Sequence, residues 1–219
     1  MSMIARNSGG VEIPKLEGGV YTAVSSAMID IGLQTNDRFD KTQRKFMMMW
    51  TILNEQIEIN GEMQARVISK EYTFSLHEKS TLRKDLQAWR GKAFTDEELS
   101  GFDLLNVLNK PCQLQIILEE KNGNKYNNIA GIMSLPKGTE IKGVENAFYF
   151  DFETESTWIH YKNIPNWIRE KIKKANNYES SGLKDYAEMV EDMEKNGKTD
   201  VVVNPDATKP IALDDDLPF

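Results

Sequence analysis

The sequence predicts a mainly β chain of the α+β class: a five-stranded barrel with helices between its third and fourth strands. Three observations predict it. Three long segments rich in β-branched and bulky apolar residues follow one another before residue 77. Two capped helical segments come next, and a hairpin of two further strands follows them.

The first strand is Val20 to Leu33 (VYTAVSSAMIDIGL), apolar with small residues. A polar break, TNDRFDK, precedes the second, RKFMMMWTILNEQIEI, residues 44 to 59. Asn60-Gly61 is a strong hairpin signal, since both residues tolerate positive φ. The third strand, MQARVISKEYTFSL, runs from Met63 to Leu76. Ser80 then caps a helix that buries Leu82, Leu86 and Trp89 at helical spacing, and Gly91 ends it. Thr95 and Glu98 form a capping box for a second helix, whose apolar positions are Phe102, Leu105 and Leu108, or Leu104 and Val107. Pro111 stops that helix. CQLQIILEE, the turn KNGNKYNN and IAGIMSL make the last hairpin. Three strands, a helical insert and two strands is the order of the OB-fold, a Greek-key barrel.

The chain divides into an N-terminal arm (1–17), the barrel (18–138), an extension (139–195) and a disordered acidic tail (196–219). The extension holds a strand candidate, AFYFDFETES. A helix, NWIREKIKKA, follows it, opened by Pro165 and basic at its end. A last helix, GLKDYAEMVEDMEKN, is expected to bury Leu183, Tyr186, Met189, Val190 and Met193.

Composition excludes several classes. No apolar run among the 219 residues is long enough to span a membrane. The first fifteen residues lack an apolar core, so no secretory signal is expected, and the expected location is cytoplasmic (host cytoplasm if phage-encoded). Cys112 is the single cysteine, so no intramolecular disulfide can form. Cys112 with His77 and His160 cannot make a Cys/His zinc site, and no cofactor is expected. The net charge of −7 is unevenly spread. Residues 1–174 hold 23 Lys and Arg against 23 Asp and Glu; residues 175–219 hold 4 against 11. Residues 1–174 are neutral, and all the net acidity lies in the last 45 residues.

The chain closes on Asp214, Asp215, Asp216, Leu217, Pro218 and Phe219. A terminal phenylalanine can enter an apolar pocket on a partner, its carboxylate can meet an arginine, and the aspartates steer the encounter. These six residues resemble the C-terminal peptide of bacterial and phage single-stranded DNA-binding proteins. The segment HEKSTLRKDLQAWRGKAFTDEELSGFDLLNVLNKPCQL, residues 77–114, is similar to the helical insert of a group of such phage proteins, and with its flanking strands the likeness spans roughly residues 18–136. The resemblance implies a non-catalytic protein that binds unpaired DNA during phage replication, recombination or repair and recruits partner proteins through the tail. It also implies that the tail, a polyanion, occupies the DNA groove when DNA is absent. The longer insert and the extension depart from the bacterial pattern, so their tetrameric assembly does not carry over, and self-association stays open.

An unpaired strand needs cations for its phosphates and flat rings for its bases. By period two, Arg44, Phe46, Met48 and Trp50 share one face of the second strand, and Arg66, Lys70, Tyr72 and Phe74 one face of the third. The last hairpin's loop offers Lys121, Lys125 and Tyr126. The face of strands two and three, with the loops at its edge, is where OB-folds take oligonucleotides. The candidate binding set is therefore Arg44, Phe46, Trp50, Arg66, Lys70, Tyr72, Phe74, Lys121, Lys125 and Tyr126, with Trp89 assigned to the core.

Asp151 and Glu153 after an apolar strand resemble the first motif of two-metal 3′–5′ exonucleases, but only 66 residues follow Glu153. Alternation of Phe148, Phe150 and Phe152 with Asp151, Glu153 and Glu155 reads instead as the solvated face of an edge strand. No phosphate-loop, dinucleotide or nucleophile-elbow motif occurs, so no enzyme is expected. Two other readings keep the tail: a protein-interaction adaptor without a DNA groove, and a strand-annealing recombinase.

Overall fold

The computed structural model describes residues 14–36, 39–59 and 61–196. The N-terminal arm before Pro14, Asn60 of the first hairpin turn and the tail, with Asp214 to Phe219, lie outside the described residues.

Strand β1, Gly19–Asn36, is the spine. Its first part, Gly19 to Val24, pairs antiparallel with β4, Pro111–Lys121, and most of its length pairs antiparallel with β2, Lys41–Ile59. Two register shifts, at Ser25/Ala27 and Asp30/Leu33, let so long a strand bend. Gly32 sits at the second shift with φ +73°. A Cβ there would lie 2.8 Å from both Ala175 and the Phe152 ring, so glycine answers both the backbone angle and the crowding. β2 continues into β3, Glu62–Thr73, and β4 into β5, Asn124–Met133. The order across the sheet is β3-β2-β1-β4-β5, and a short parallel strand, β6 (Phe148–Phe150), joins β1. Among the described residues β3 and β5 share no backbone ladder. Helix α1, Thr81–Arg90, packs at that gap.

The helical insert follows local chemistry closely at its start. Ser80 accepts the Arg83 N–H at 3.2 Å, Gly91 ends α1 at φ 67°, and Leu82, Leu86 and Trp89 are its buried face. Thr95 and Glu98 make the expected capping box, but α2 is only Asp96–Ser100. Extended Gly101 breaks it, and Asp103 caps a separate 3₁₀ turn, Leu104–Val107, where the sequence predicts one continuous helix. The second hairpin is also tighter than predicted. Asn122 and Gly123 both have positive φ and form a two-residue turn, so Lys125 and Tyr126 lie in β5 rather than in a loop.

Two apolar cores flank the sheet. One lies between β2, β4 and α1 and holds Phe46, Met48, Trp50, Tyr72, Leu86, Trp89 and Leu114. The other lies under the extension. There α3 (Asn166–Lys173), α4 (Leu183–Lys195) and a 3₁₀ segment, Glu155–Asn163, cover Ala27, Ile29, Ile31 and Met47. Asp151, Glu153 and Glu155 therefore do not line a strand face. The strand ends at Phe150, and Phe152 is packed in this second core. On α4 the buried residues are Leu183, Ala187 and Val190; Met189 is exposed and Tyr186 packs only partly, against Trp158. No helix among the described residues is long and apolar enough to cross a membrane.

Candidate functional site

Lys41, Gln43 and Lys45 alternate along the start of β2 and point to the face opposite Phe46 and Trp50. Beside them the end of β3 contributes Glu71 and Thr73, since Lys45 pairs with Thr73 in the register. The chain then runs through Ser75, His77 and Lys79 into the start of α1. These residues, with Ser80, Thr81 and Leu82, enclose a cleft of about 590 Å³.

Lys41, Lys45 and Lys79 face one carboxylate in that cleft, Glu71. Glu71 is held between Lys45 at 2.8 Å and Lys171 of α3 at 2.5 Å. Burial pushes its carboxyl up, but hydrogen bonds from the two lysines outweigh that, and its pKa lies below the ordinary value. It stays ionised and outnumbered. The first turn of α1 carries no acidic side chain, so the positive end of its dipole adds to the same field. The cleft suits an anion with polar oxygens.

The residues named from sequence are placed differently. Phe46, Trp50 and Tyr72 are buried in the first core and cannot offer a ring to a base, a correction of that assignment. Alternation sets Phe46, Trp50 and Tyr72 on one side of the ladder, and that side faces inward. Phe46 pairs with Tyr72, and Trp50 with Ile68, on the side that packs against α1. The second core covers Met47 on the other side, so β2 is apolar on both faces where MMM runs. Lys70 lies on the inner side too, paired with Asp85 of α1 at 2.7 Å. The Tyr72 hydroxyl donates to the same carboxylate at 2.7 Å, and burial followed by Asp85 drives its pKa far up. Arg66 donates to the Pro14 carbonyl.

Arg44 is half-exposed and committed to acids: Asp30 at 2.5 Å, Asp151 at 3.0 Å and Glu153 at 3.9 Å. Burial pushes the Asp30 carboxyl above the usual range against the pull of Arg44 and of the Gly32 and Phe152 N–H groups. Phe74 is 41% exposed beneath the Arg44 guanidinium, 5.1 Å from its centre. Lys121, Lys125 and Tyr126 are exposed at the β4–β5 turn, but Lys125 stands opposite Glu120 and Tyr126 opposite Glu119. Along the ladder that turn lies beyond Gly19, and Lys41 lies opposite Asn36, at the other end of β1. The sheet does not bring the two groups together.

Sequence reasoning missed Lys41, Lys45, His77 and Lys79. A signal was present in Lys41-x-Gln43-x-Lys45, an outward polar stripe ahead of the apolar run. Elsewhere, Cys112 is buried opposite Ala23, and burial pushes its thiol up. His160 stacks on Phe148 at 5.1 Å, and burial and then Lys162 push its pKa down. Among the described residues no group of three or more His, Cys, Asp or Glu could hold a metal ion. No protein-family model and no curated protein matches the chain.

Proposed function

We propose that this chain binds single-stranded DNA in the cleft between the start of β2 and the N-terminus of α1, as a non-catalytic protein of phage DNA replication and recombination. The observation that carries the reading is the cleft itself, with three lysines around one carboxylate already satisfied by two of its neighbours. Lys41, Lys45 and Lys79 contact phosphates, Ser75, Ser80 and Thr81 donate to their oxygens, and the base sequence of the strand enters little into that grip.

The strand order, with α1 between β3 and β4, supports an OB-fold in which α1 plugs the gap between β3 and β5. The segment Asp214 to Phe219 recruits replication or recombination proteins, because its charge and its apolar end serve a partner pocket better than a phosphate groove.

Fluorescence anisotropy with a labelled unpaired oligonucleotide and the matching duplex tests the reading. The expected result is tight, salt-sensitive binding to the unpaired strand and weaker binding to duplex. Lys41→Glu with Lys79→Glu is expected to abolish it. A body that ignores the unpaired strand at low salt overturns the proposal and leaves the adaptor reading. Annealing of complementary strands would favour the recombinase.

A further inference from the structure

Helix α3 divides its cations between two flanks. Arg169 and Lys173 lie in a second cleft, of about 380 Å³, between α3 and α4, where Glu194 and Glu191 already hold them. Lys171 points elsewhere. Its ammonium reaches Glu71, which Lys45 also binds, so α3 abuts the wall of the lysine cleft. The Gln34 side chain fixes that placement by donating to the Lys171 carbonyl at 3.0 Å.

Trp167 stands one helical turn before Lys171, and Lys174 follows one turn after it. That spacing sets the three on one face, while Ile168 and Ile172 are buried on the other. Trp167 is 49% exposed, whereas Trp50, Trp89 and Trp158, the other tryptophans of the chain, are at most 9% exposed. Among the described residues of α3 no other large apolar side chain is exposed. Lys174 and Glu170 are exposed beside the ring, and Glu170 pairs with Lys173 at 3.1 Å. A protein partner that covered this ring would meet charged side chains around it, where protein interfaces place apolar ones. A flat ring among cations is what an unpaired strand uses, with a base on the ring and phosphates on the ammonium groups.

We propose that the strand held in the lysine cleft continues past Glu71 onto α3 and stacks one base on Trp167, with Lys171 and Lys174 against its phosphates. Glu71 does not bar the way. Partly exposed ion pairs such as its own contribute little each, so a phosphate can take its place at Lys171 at small cost. Stacking uses a face common to all bases, so this station does not distinguish among them. The extension then belongs to the binding surface and is more than a cover for the second core. The inference rests on the single-stranded DNA reading above.

The test titrates the full chain, Trp167→Phe and Trp167→Ala with oligo-dT at low salt, read by intrinsic tryptophan fluorescence and by anisotropy of a labelled oligomer. The other indoles are buried, so the expected quenching belongs to Trp167. It is expected to vanish in Trp167→Phe, which keeps a ring and binds within about threefold of the full chain. Trp167→Ala is expected to bind about tenfold more weakly, at an unchanged melting temperature and an unchanged salt slope, since the ring neutralises no phosphate. Four results overturn this inference and leave the DNA-binding reading standing: binding of the full chain without quenching, quenching that persists in Trp167→Phe, a Trp167→Ala affinity within about twofold of the full chain, or a loss of affinity only with a lowered melting temperature. Failure of the full chain to bind oligo-dT overturns both.

Discussion

Lys70 of β3 and Asp85 of α1 form an ion pair of 2.7 Å that spans the gap where β3 and β5 have no backbone ladder. The Lys70 ammonium also reaches the Ile129 carbonyl of β5 at 3.3 Å, and Asp85 accepts the Tyr72 hydroxyl. One side-chain cluster thus ties two sheet edges to the helix between them. Asp85→Ala leaves the half-buried Lys70 ammonium with only the Ile129 carbonyl and the buried Tyr72 hydroxyl without its acceptor. The expected cost is about 2–4 kcal/mol, read as a lower urea midpoint at unchanged slope. Replacing Lys70 and Asp85 together with Met and Leu is expected to cost less, because no charge is left unpaired.

Trp50 is a stability residue. It is fully buried, 6.3 Å from Trp89 between ring centroids. Trp50→Ala is expected to cost about 3–5 kcal/mol of unfolding free energy. Trp50→Phe keeps most of the volume and is expected to lower the melting temperature while leaving oligonucleotide affinity unchanged. A selective loss of affinity at unchanged melting temperature would return Trp50 to the binding surface.

Lys41 and Lys79 are the exposed cations of the first cleft. Their joint replacement by alanine is expected to weaken binding and to flatten the salt dependence. The slope of log affinity against log salt should fall by about 0.7 for each phosphate that is no longer neutralised. An affinity drop with an unchanged slope would mean that the lysines act on the fold and not on phosphates.

Acid is expected to loosen α4 from α3. Buried Arg169 grips Glu194 with two bonds, at 2.7 and 3.0 Å, and Lys173 with Tyr161 holds Glu191. The Arg169 hydrogen bond holds Glu194 below its usual 4.5. Burial raises Glu191, but its bonds from Lys173 and Tyr161 prevail and its pKa is also lowered. Both carboxyls bind protons more readily in the unfolded chain. Their stabilisation is therefore complete above pH 4.5 and is lost as pH falls through the depressed values. Amide exchange of residues 183–195 should quicken over that window, and Glu194→Gln should remove much of the pH dependence.

Deleting Asp214 to Phe219 is expected to leave the melting temperature unchanged and DNA affinity equal or higher, with loss of partner recruitment. Weaker DNA binding by the shortened chain would contradict a role for the segment outside the groove.

Local chemistry determined a good deal by itself. Ser80, Gly91, Thr95 and Glu98 mark their helix ends because capping needs only residues a few positions apart. The five long strands and the helices between the third and fourth are legible because period and punctuation are properties of short windows. That residues 1–174 are neutral and the last 45 carry the net acidity needs nothing beyond counting. Tertiary structure alone decided which face of β2 looks inward. Alternation separates Phe46 and Trp50 from Lys45 and Met47, but it does not say which set meets α1, and here the extension buries part of the second set as well. It also decided that Lys41, Lys45 and Lys79 share one cleft, while Lys121 and Lys125 lie at the other end of β1. Those choices depend on strand register and on packing between residues from about forty to more than a hundred positions apart, where no local pattern carries information.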